Sequence, residues 1–207
     1  MAFRLGIVPA AGKAVRFGGV LKECLPLKRG SLLELAVDRL PVDRVILVTN
    51  TSKVQTHAQV LGNKVLYMVQ GDEPELWGAI KSALSIDADY YYFTMPDTFM
   101  PFHAFNLVPE VDFSIGLFET DMPERFGVLV DGRVVDKNRD IPVPAQAWGG
   151  LVWSRAVKNL WLRSNVTDYT HAINLAIQAF GFETWRISFY HDFASIEDYQ
   201  NYLRRYE

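Results

Sequence analysis

A single cysteine, Cys24, occurs among 207 residues. One thiol cannot close a disulfide within the chain, so the disulfide frameworks of small secreted domains are excluded and a reducing cytoplasm is the expected compartment. No window approaches the roughly 18 consecutive apolar residues of a membrane-spanning helix, and Met1 to Gly12 lacks the long apolar stretch of a secretory signal. The chain therefore reads as mature and soluble, with no membrane partner. Charge of one sign is not in excess either: 21 Lys and Arg against 24 Asp and Glu leave a net −3, which gives no general footprint for nucleic acid. The 10 prolines and 14 glycines are scattered singly, without a low-complexity tract, a linker or a repeat, so no domain boundary is visible. The four histidines, His57, His103, His171 and His191, have no metal-ligand spacing and read as surface or packing residues. What remains is 49% hydrophobic and 22% charged, a soluble globular composition that fits one domain spanning residues 1–207.

Five short runs rich in β-branched and aromatic residues read as strands buried mostly on both faces: Phe3 to Pro9, Arg44 to Thr49, Lys64 to Val69, Tyr90 to Met95 and Asp112 to Phe118. Ser31 to Leu40, Ser52 to Leu61 and Pro74 to Ser85 space their apolar residues three and four apart, which predicts helices. Alternating strands and helices imply right-handed crossovers and a largely parallel sheet covered on both faces, the α/β class. After residue 110 the texture changes. Phe126 to Val130, Asp131-Gly132 and Arg133 to Lys137 predict an added hairpin with a two-residue type I′ turn. A strand through Ala147 to Trp153, a helix from Thr167 to Phe180, a strand through Thr184 to Phe189 and a final helix follow. Ser195 and Asp198 have capping-box spacing at the start of that last helix.

The first strand runs into Pro9-Ala10-Ala11-Gly12-Lys13-Ala14-Val15-Arg16-Phe17-Gly18-Gly19. Small side chains let backbone N–H groups approach an anion there, and Arg16 and then Lys22 could neutralise its charge. A triphosphate is the natural guest, because ligands of open α/β sheets bind beyond the carboxyl ends of the strands. Neither the G-x-x-x-x-G-K-[ST] spacing nor a G-x-G-x-x-G run is present, so P-loop and dinucleotide readings lose their main support. Asp97 follows the fourth strand directly and is expected on the same sheet edge, a good location for a Mg²⁺ ligand.

These segments resemble the sugar-phosphate nucleotidyltransferase family. Val8 to Arg16 followed by Leu21-Lys22-Glu23-Cys24-Leu25-Pro26-Leu27 is similar to its A-A-G-x-G-x-R and P-K-x-L-x-P signature. Met95-Pro96-Asp97 resembles the metal-binding L-x-D, Arg125-Phe126-Gly127-Val128 the R-Y-G-V, and Asp136-Lys137 the Glu-Lys of the family. His191-Asp192-Phe193-Ala194-Ser195-Ile196-Glu197-Asp198-Tyr199 is similar to W-x-D-x-G-T-P-E-D-Y. The resemblance implies a Rossmann-like, GT-A-like fold and transfer of a nucleoside monophosphate from an NTP to a sugar 1-phosphate or similar phosphorylated acceptor, with release of pyrophosphate. It further implies Mg²⁺ held by Asp97 and Asp192, Arg16 on the β- and γ-phosphates, and Lys22 at the transition state. Ala10, Ala11, Gly12, Lys13 and Gln70 would meet the nucleotide; Gly127, Asp136, Lys137 and Trp148 would meet the acceptor. With 15 residues after Asp192, the expected unit is a minimal catalytic domain. Homo-oligomerisation is compatible with the family.

Departures from the pattern matter as well. Ala14 stands for the second glycine, Val15 for a common threonine, Leu21 for the proline before the lysine, and Glu75-Leu76 for Gly-Ser/Thr near the base. Trp148 precedes Gly149-Gly150 where relatives carry an Asn that contacts sugar hydroxyls, so a cationic head such as choline phosphate stacked on Trp148 is an alternative acceptor. A catalytically silent nucleotide-binding regulator of the same fold is a second alternative. A glycosyltransferase is a third, disfavoured because the D-x-D match, Asp87-Ala88-Asp89, precedes its strand.

Overall fold

A computed structural model of the chain describes residues 2–12, 20–70, 76–105, 111–193 and 195–206. The first strand, β1 (Arg4–Pro9), leads to a single 3-10 turn at Lys22–Cys24 and a two-residue ladder, β2 (Pro26–Leu27) with β3 (Gly30–Ser31). Then α1 (Leu32–Asp38), β4 (Arg44–Asn50), α2 (Val54–Leu61), β5 (Leu66–Gln70), α3 (Leu76–Ala83) and β6 (Tyr90–Thr94) alternate as expected. The second half comprises β7 (Thr98–Phe99), β8 (Phe113–Thr120), a 3-10 turn at Pro123–Arg125, β9 (Gly127–Val130), β10 (Arg133–Asp136) and β11 (Ala145–Ser154). It closes with α4 (Arg155–Arg163), α5 (Tyr169–Phe180), β12 (Glu183–Arg186), β13 (His191–Asp192) and α6 (Ile196–Tyr206). Among the described residues no helix is long and apolar enough to cross a membrane.

The main sheet runs β10-β9-β11-β6-β1-β4-β5, with β8 on the other edge of β11 and β12 beside β8. It is parallel through β6, β1, β4 and β5, and antiparallel where β11 meets β6, β8 and β9. Alternation along β1 explains the layering. Leu5 and Ile7 face one core with Trp77 and Ile80 of α3, while Val8 faces another with Leu33 and Val37 of α1. Helices therefore cover both faces. Gly6 lies on the α1 side, where a Cβ would stand 2.8 Å from Leu40 Cδ1, so a larger residue there would have to displace the Leu40 side chain.

Local chemistry sets the element boundaries. Ser31 and Glu34 close a full capping box on α1: Ser31 Oγ accepts from the Glu34 N–H at 3.2 Å, and Glu34 Oε2 accepts from the Ser31 N–H at 2.8 Å. The expected hairpin forms as β9 and β10, with Asp131 and Gly132 at φ 47° and 75° as a type I′ turn requires. At α6, Ser195 Oγ accepts from the Asp198 N–H at 3.1 Å. The strand expected through Phe189 ends earlier, at Arg186. Helix α4 was not anticipated; Ser154 caps it by accepting from the Ala156 N–H.

Candidate active site

The carboxyl ends of β1, β4 and β6 open on one cleft of about 510 Å³. Its lining includes Ala10 and Gly12 from the end of β1, Lys22 from the first 3-10 turn, and Asp97 from the link between β6 and β7. Arg125, Gly127, Lys137, Trp148 and Asp192 are among the residues that reach it from the second half of the chain. The remainder of the anticipated phosphate loop, with Lys13, Ala14, Val15 and Arg16, lies outside the described residues, as does Glu75.

Asp97 and Asp192 meet although 95 positions separate them. The reason is a ladder too short to have been read from the sequence: β7 pairs antiparallel with β13, Thr98 opposite Asp192 and Phe99 opposite His191. Lys22 Nζ bridges the pair, 3.0 Å from Asp97 Oδ2 and 2.9 Å from Asp192 Oδ1. Arg125 Nη2 adds a bond to Asp192 Oδ2 at 2.8 Å and one to its carbonyl at 3.2 Å. Arg125 belongs to a motif visible in the sequence, but nothing there assigned it this contact.

The electrostatics follow from that geometry. Burial pulls the Lys22 ammonium down, yet Asp97 and Asp192 outweigh it and hold the pKa above the usual lysine value. Burial, aided by Asp192 and Glu23, keeps the Asp97 carboxyl above the ordinary aspartate value despite Lys22. Burial pushes Asp192 the same way, but Lys22 and Arg125 outweigh it and leave Asp192 below that value. Asp97 Oδ1 is buried and has no hydrogen-bond partner among the described residues.

At the far end of the cleft, Lys137 follows the hairpin with φ 43°, a left-handed conformation that a non-glycine residue adopts only under constraint. Its N–H donates to the Phe126 carbonyl at 3.0 Å. Asp136 does not line the cleft but accepts from Tyr169 Oη at 2.6 Å, which braces a tyrosine that does. Trp148 is 8% exposed, with Phe93 and Tyr169 at ring distances of 6.1 and 5.7 Å. Gly127 lies across its edge, where a Cβ would stand 2.3 Å from Nε1. A cation stacked on an open Trp148 face thus gains no support. Ala11 sits behind the lining, its carbonyl accepting from Asn50 Nδ2 at 2.8 Å. Gln70 ends β5 opposite Asn50 and does not line the cleft among the described residues. His57 is a packing residue: it is fully buried and hydrogen-bonded on both ring nitrogens.

The profile of the MobA-like NTP transferase domain matches residues 6–110, half of the chain. The chain belongs to that family. No curated protein matches its sequence. Solved structures nevertheless share the fold of this NTP transferase across nearly its whole length. A protein from Bacillus anthracis assigned as a glucose-1-phosphate thymidylyltransferase, determined with sucrose, superposes with a TM-score of 0.82 at 17% identity, covering 97% of this chain and 94% of that one. The inositol-1-phosphate CTP transferase of T. maritima superposes with a TM-score of 0.74 at 18% identity, covering 96% and 92%. The Rossmann-like nucleotidyltransferase fold implied by the motifs is therefore the fold of this transferase, and the resemblance noted in the sequence is borne out. The profile ends at residue 110, so Arg125, Lys137, Trp148 and Asp192 reach the cleft from outside the matched segment.

Proposed function

We propose that this nucleotidyltransferase moves a nucleoside monophosphate from an NTP to a sugar 1-phosphate or a similar polyol phosphate and releases pyrophosphate. The observation that carries the reading is the convergence of Lys22, Asp97 and Asp192 at the carboxyl edge of the sheet. Attack by a phosphate oxygen on the α-phosphorus brings two anions together, so positioned cations and excluded water do most of the work. In this reading Lys22 meets the charge developing on the transferring group, Lys137 holds the attacking phosphate, and Arg16 steadies the leaving pyrophosphate. Ala10 and Gly12, which line the cleft, would present their backbone toward the triphosphate together with Ala11 and Lys13, and Gln70, at the end of β5 outside the described lining, would read the base. Gly127, Asp136 and Trp148 shape the acceptor end.

Mg²⁺ fits the donor set: two carboxylates already converge on one cationic point, and one Asp97 oxygen lacks a partner among the described residues. Asp97 and Asp192 would hold the ion, which when bound would offset charge on the α-phosphate. The glucose 1-phosphate and inositol 1-phosphate in the names of the two fold relatives favour a hydroxylated acceptor. Cores on both faces of one sheet, with a third cluster joining Leu32 and Leu35 to Phe193 and Tyr202, support a single catalytic domain over residues 1–207, and a cytoplasmic setting suits its nucleotide substrates.

Pyrophosphate release from each of the four NTPs, paired with sugar 1-phosphates, inositol 1-phosphate and phosphocholine, tests the reading. A hydroxylated acceptor should win, excess chelator should stop turnover, and folded Lys22→Ala should lose about two to three orders of magnitude in rate. Release with no pair, in a folded protein supplied with Mg²⁺, would support the silent regulator instead.

A further inference from the structure

The cleft lining includes buried charge, Glu23 and Lys53, to which the reaction as described gives no role. Glu23 follows Lys22 in the Lys22–Cys24 turn and is 5% exposed. Its Oε1 accepts from Lys53 Nζ at 2.8 Å and lies 3.0 Å from His57 Nε2. Lys53 Nζ also donates to the Ala10 carbonyl at 3.2 Å, and His57 Nδ1 lies 2.8 Å from Thr49 Oγ1. With its proton on Nε2, His57 donates to Glu23 and accepts from the Thr49 hydroxyl, which satisfies both ring nitrogens. Burial pushes the Glu23 carboxyl up, but His57 and Lys53 outweigh it and hold it below the usual glutamate value.

Stability alone gives little reason for such a pair, since apolar residues of similar volume commonly serve a core as well or better. Its placement gives a better one. The network ties together the end of β1, the end of β4 and the start of α2, and it grips the short turn that carries Lys22. The turn's own backbone bonds, Cys24 N–H to the Leu21 carbonyl at 2.9 Å and Leu25 N–H to the Lys22 carbonyl at 3.1 Å, are local and cannot orient it on the sheet. Adjacent residues of a 3-10 turn point about 120° apart, so anchoring Glu23 inward fixes the direction in which Lys22 leaves the backbone.

We propose that Glu23, Lys53 and His57 are positioning residues for the transfer reaction, a buried charged clasp that aims the Lys22 ammonium into the cleft. The inference rests on the reading of Lys22 as the group that meets the transferring phosphate.

The test is pyrophosphate release, with the best NTP and acceptor pair, by Lys53→Met and Glu23→Gln, each alone and combined with Lys22→Ala. Rates are taken at a temperature where circular dichroism shows the variants folded. Each single variant should lower kcat by about tenfold or more while the KM for NTP moves by less than about threefold, because misaiming a charge weakens the transition state more than ground-state binding. In the Lys22→Ala background the same changes should cost less than about twofold, since residues that act as a unit are not additive. His57→Gln, which keeps a donor where Nε2 stands, should retain most of the rate that His57→Leu loses, and this pair carries the comparison if Lys53→Met does not fold. A wild-type kcat in folded Glu23→Gln and His57→Leu, or the same fractional loss with and without Lys22, overturns the proposal. A wild-type rate in Lys22→Ala overturns the reading beneath it, so the two failures are told apart.

Discussion

Asp97 and Asp192 face one ammonium at 3.0 and 2.9 Å, yet their carboxyl pKa values move in opposite directions. Asp192 has a second cation in Arg125, whereas Asp97 is left with a buried oxygen that nothing among the described residues satisfies. A carboxyl raised in the fold takes up its proton more readily there than in the unfolded chain, so its stabilising share exists at low pH and is lost as pH rises through the raised value. At pH 7 Asp97 therefore weighs against the fold. A lowered carboxyl runs the other way: the share of Asp192 is present above the ordinary aspartate value and disappears as pH falls through its folded pKa. Asp97→Asn should accordingly melt above the wild type at pH 7 and Asp192→Asn below it. Both should lose activity, because both carboxylates line the cleft and meet the Lys22 ammonium. Thermal unfolding of the two variants decides it. A lower Tm in both would mean that pairing with Lys22 outweighs burial at Asp97.

At the scale of elements, the sequence was most legible where one physical cause dominates. The strands β1, β4 and β6 are buried on both faces and so read as unbroken apolar runs, and Asp131-Gly132 demands positive φ at both positions of its turn. The ladder of β7 with β13 was invisible, because two residues per strand carry no period and their pairing depends on tertiary contact. The meeting of Asp97 with Asp192 could thus be expected only from motif resemblance. Buried polar residues such as Glu23 and His57 were illegible for a related reason: a charged residue in a sequence carries no mark of the partner that makes its burial tolerable. Hairpin packing supplies the prediction at this scale. In Gly127→Ala the new Cβ would press on Trp148, which Phe93 and Tyr169 keep from yielding freely. The variant should lose about 1–3 kcal/mol by overpacking, and the KM for the acceptor should rise more than the KM for NTP. Urea unfolding and initial rates measure both. An unchanged acceptor KM in a destabilised variant would detach Trp148 from the acceptor end.

For the whole molecule, the cleft is assembled from both halves of the chain. The segment shared with the family brings Lys22 and Asp97; Arg125, Lys137 and Asp192 arrive from beyond it, across the mixed half of the sheet and through the β13 ladder. Whether the halves cooperate in holding the proposed Mg²⁺ can be read from a double-mutant cycle. If Asp97 and Asp192 share one ion, either change to Asn alone should already remove most of its contribution, and the double variant should be little slower than the poorer single. If Asp192 serves only to anchor Arg125 and Lys22, its loss should slow turnover while the Mg²⁺ dependence of kcat/KM stays that of the wild type. The two losses would then multiply in the double variant. Titrating Mg²⁺ against kcat/KM in both singles and the double separates these outcomes, and the Tm of each variant guards against reading a folding defect as a lost ligand. Multiplying losses with an unshifted Mg²⁺ dependence in Asp192→Asn would leave Asp97 as the one carboxylate on the ion and would make the second half of the chain a scaffold for cations.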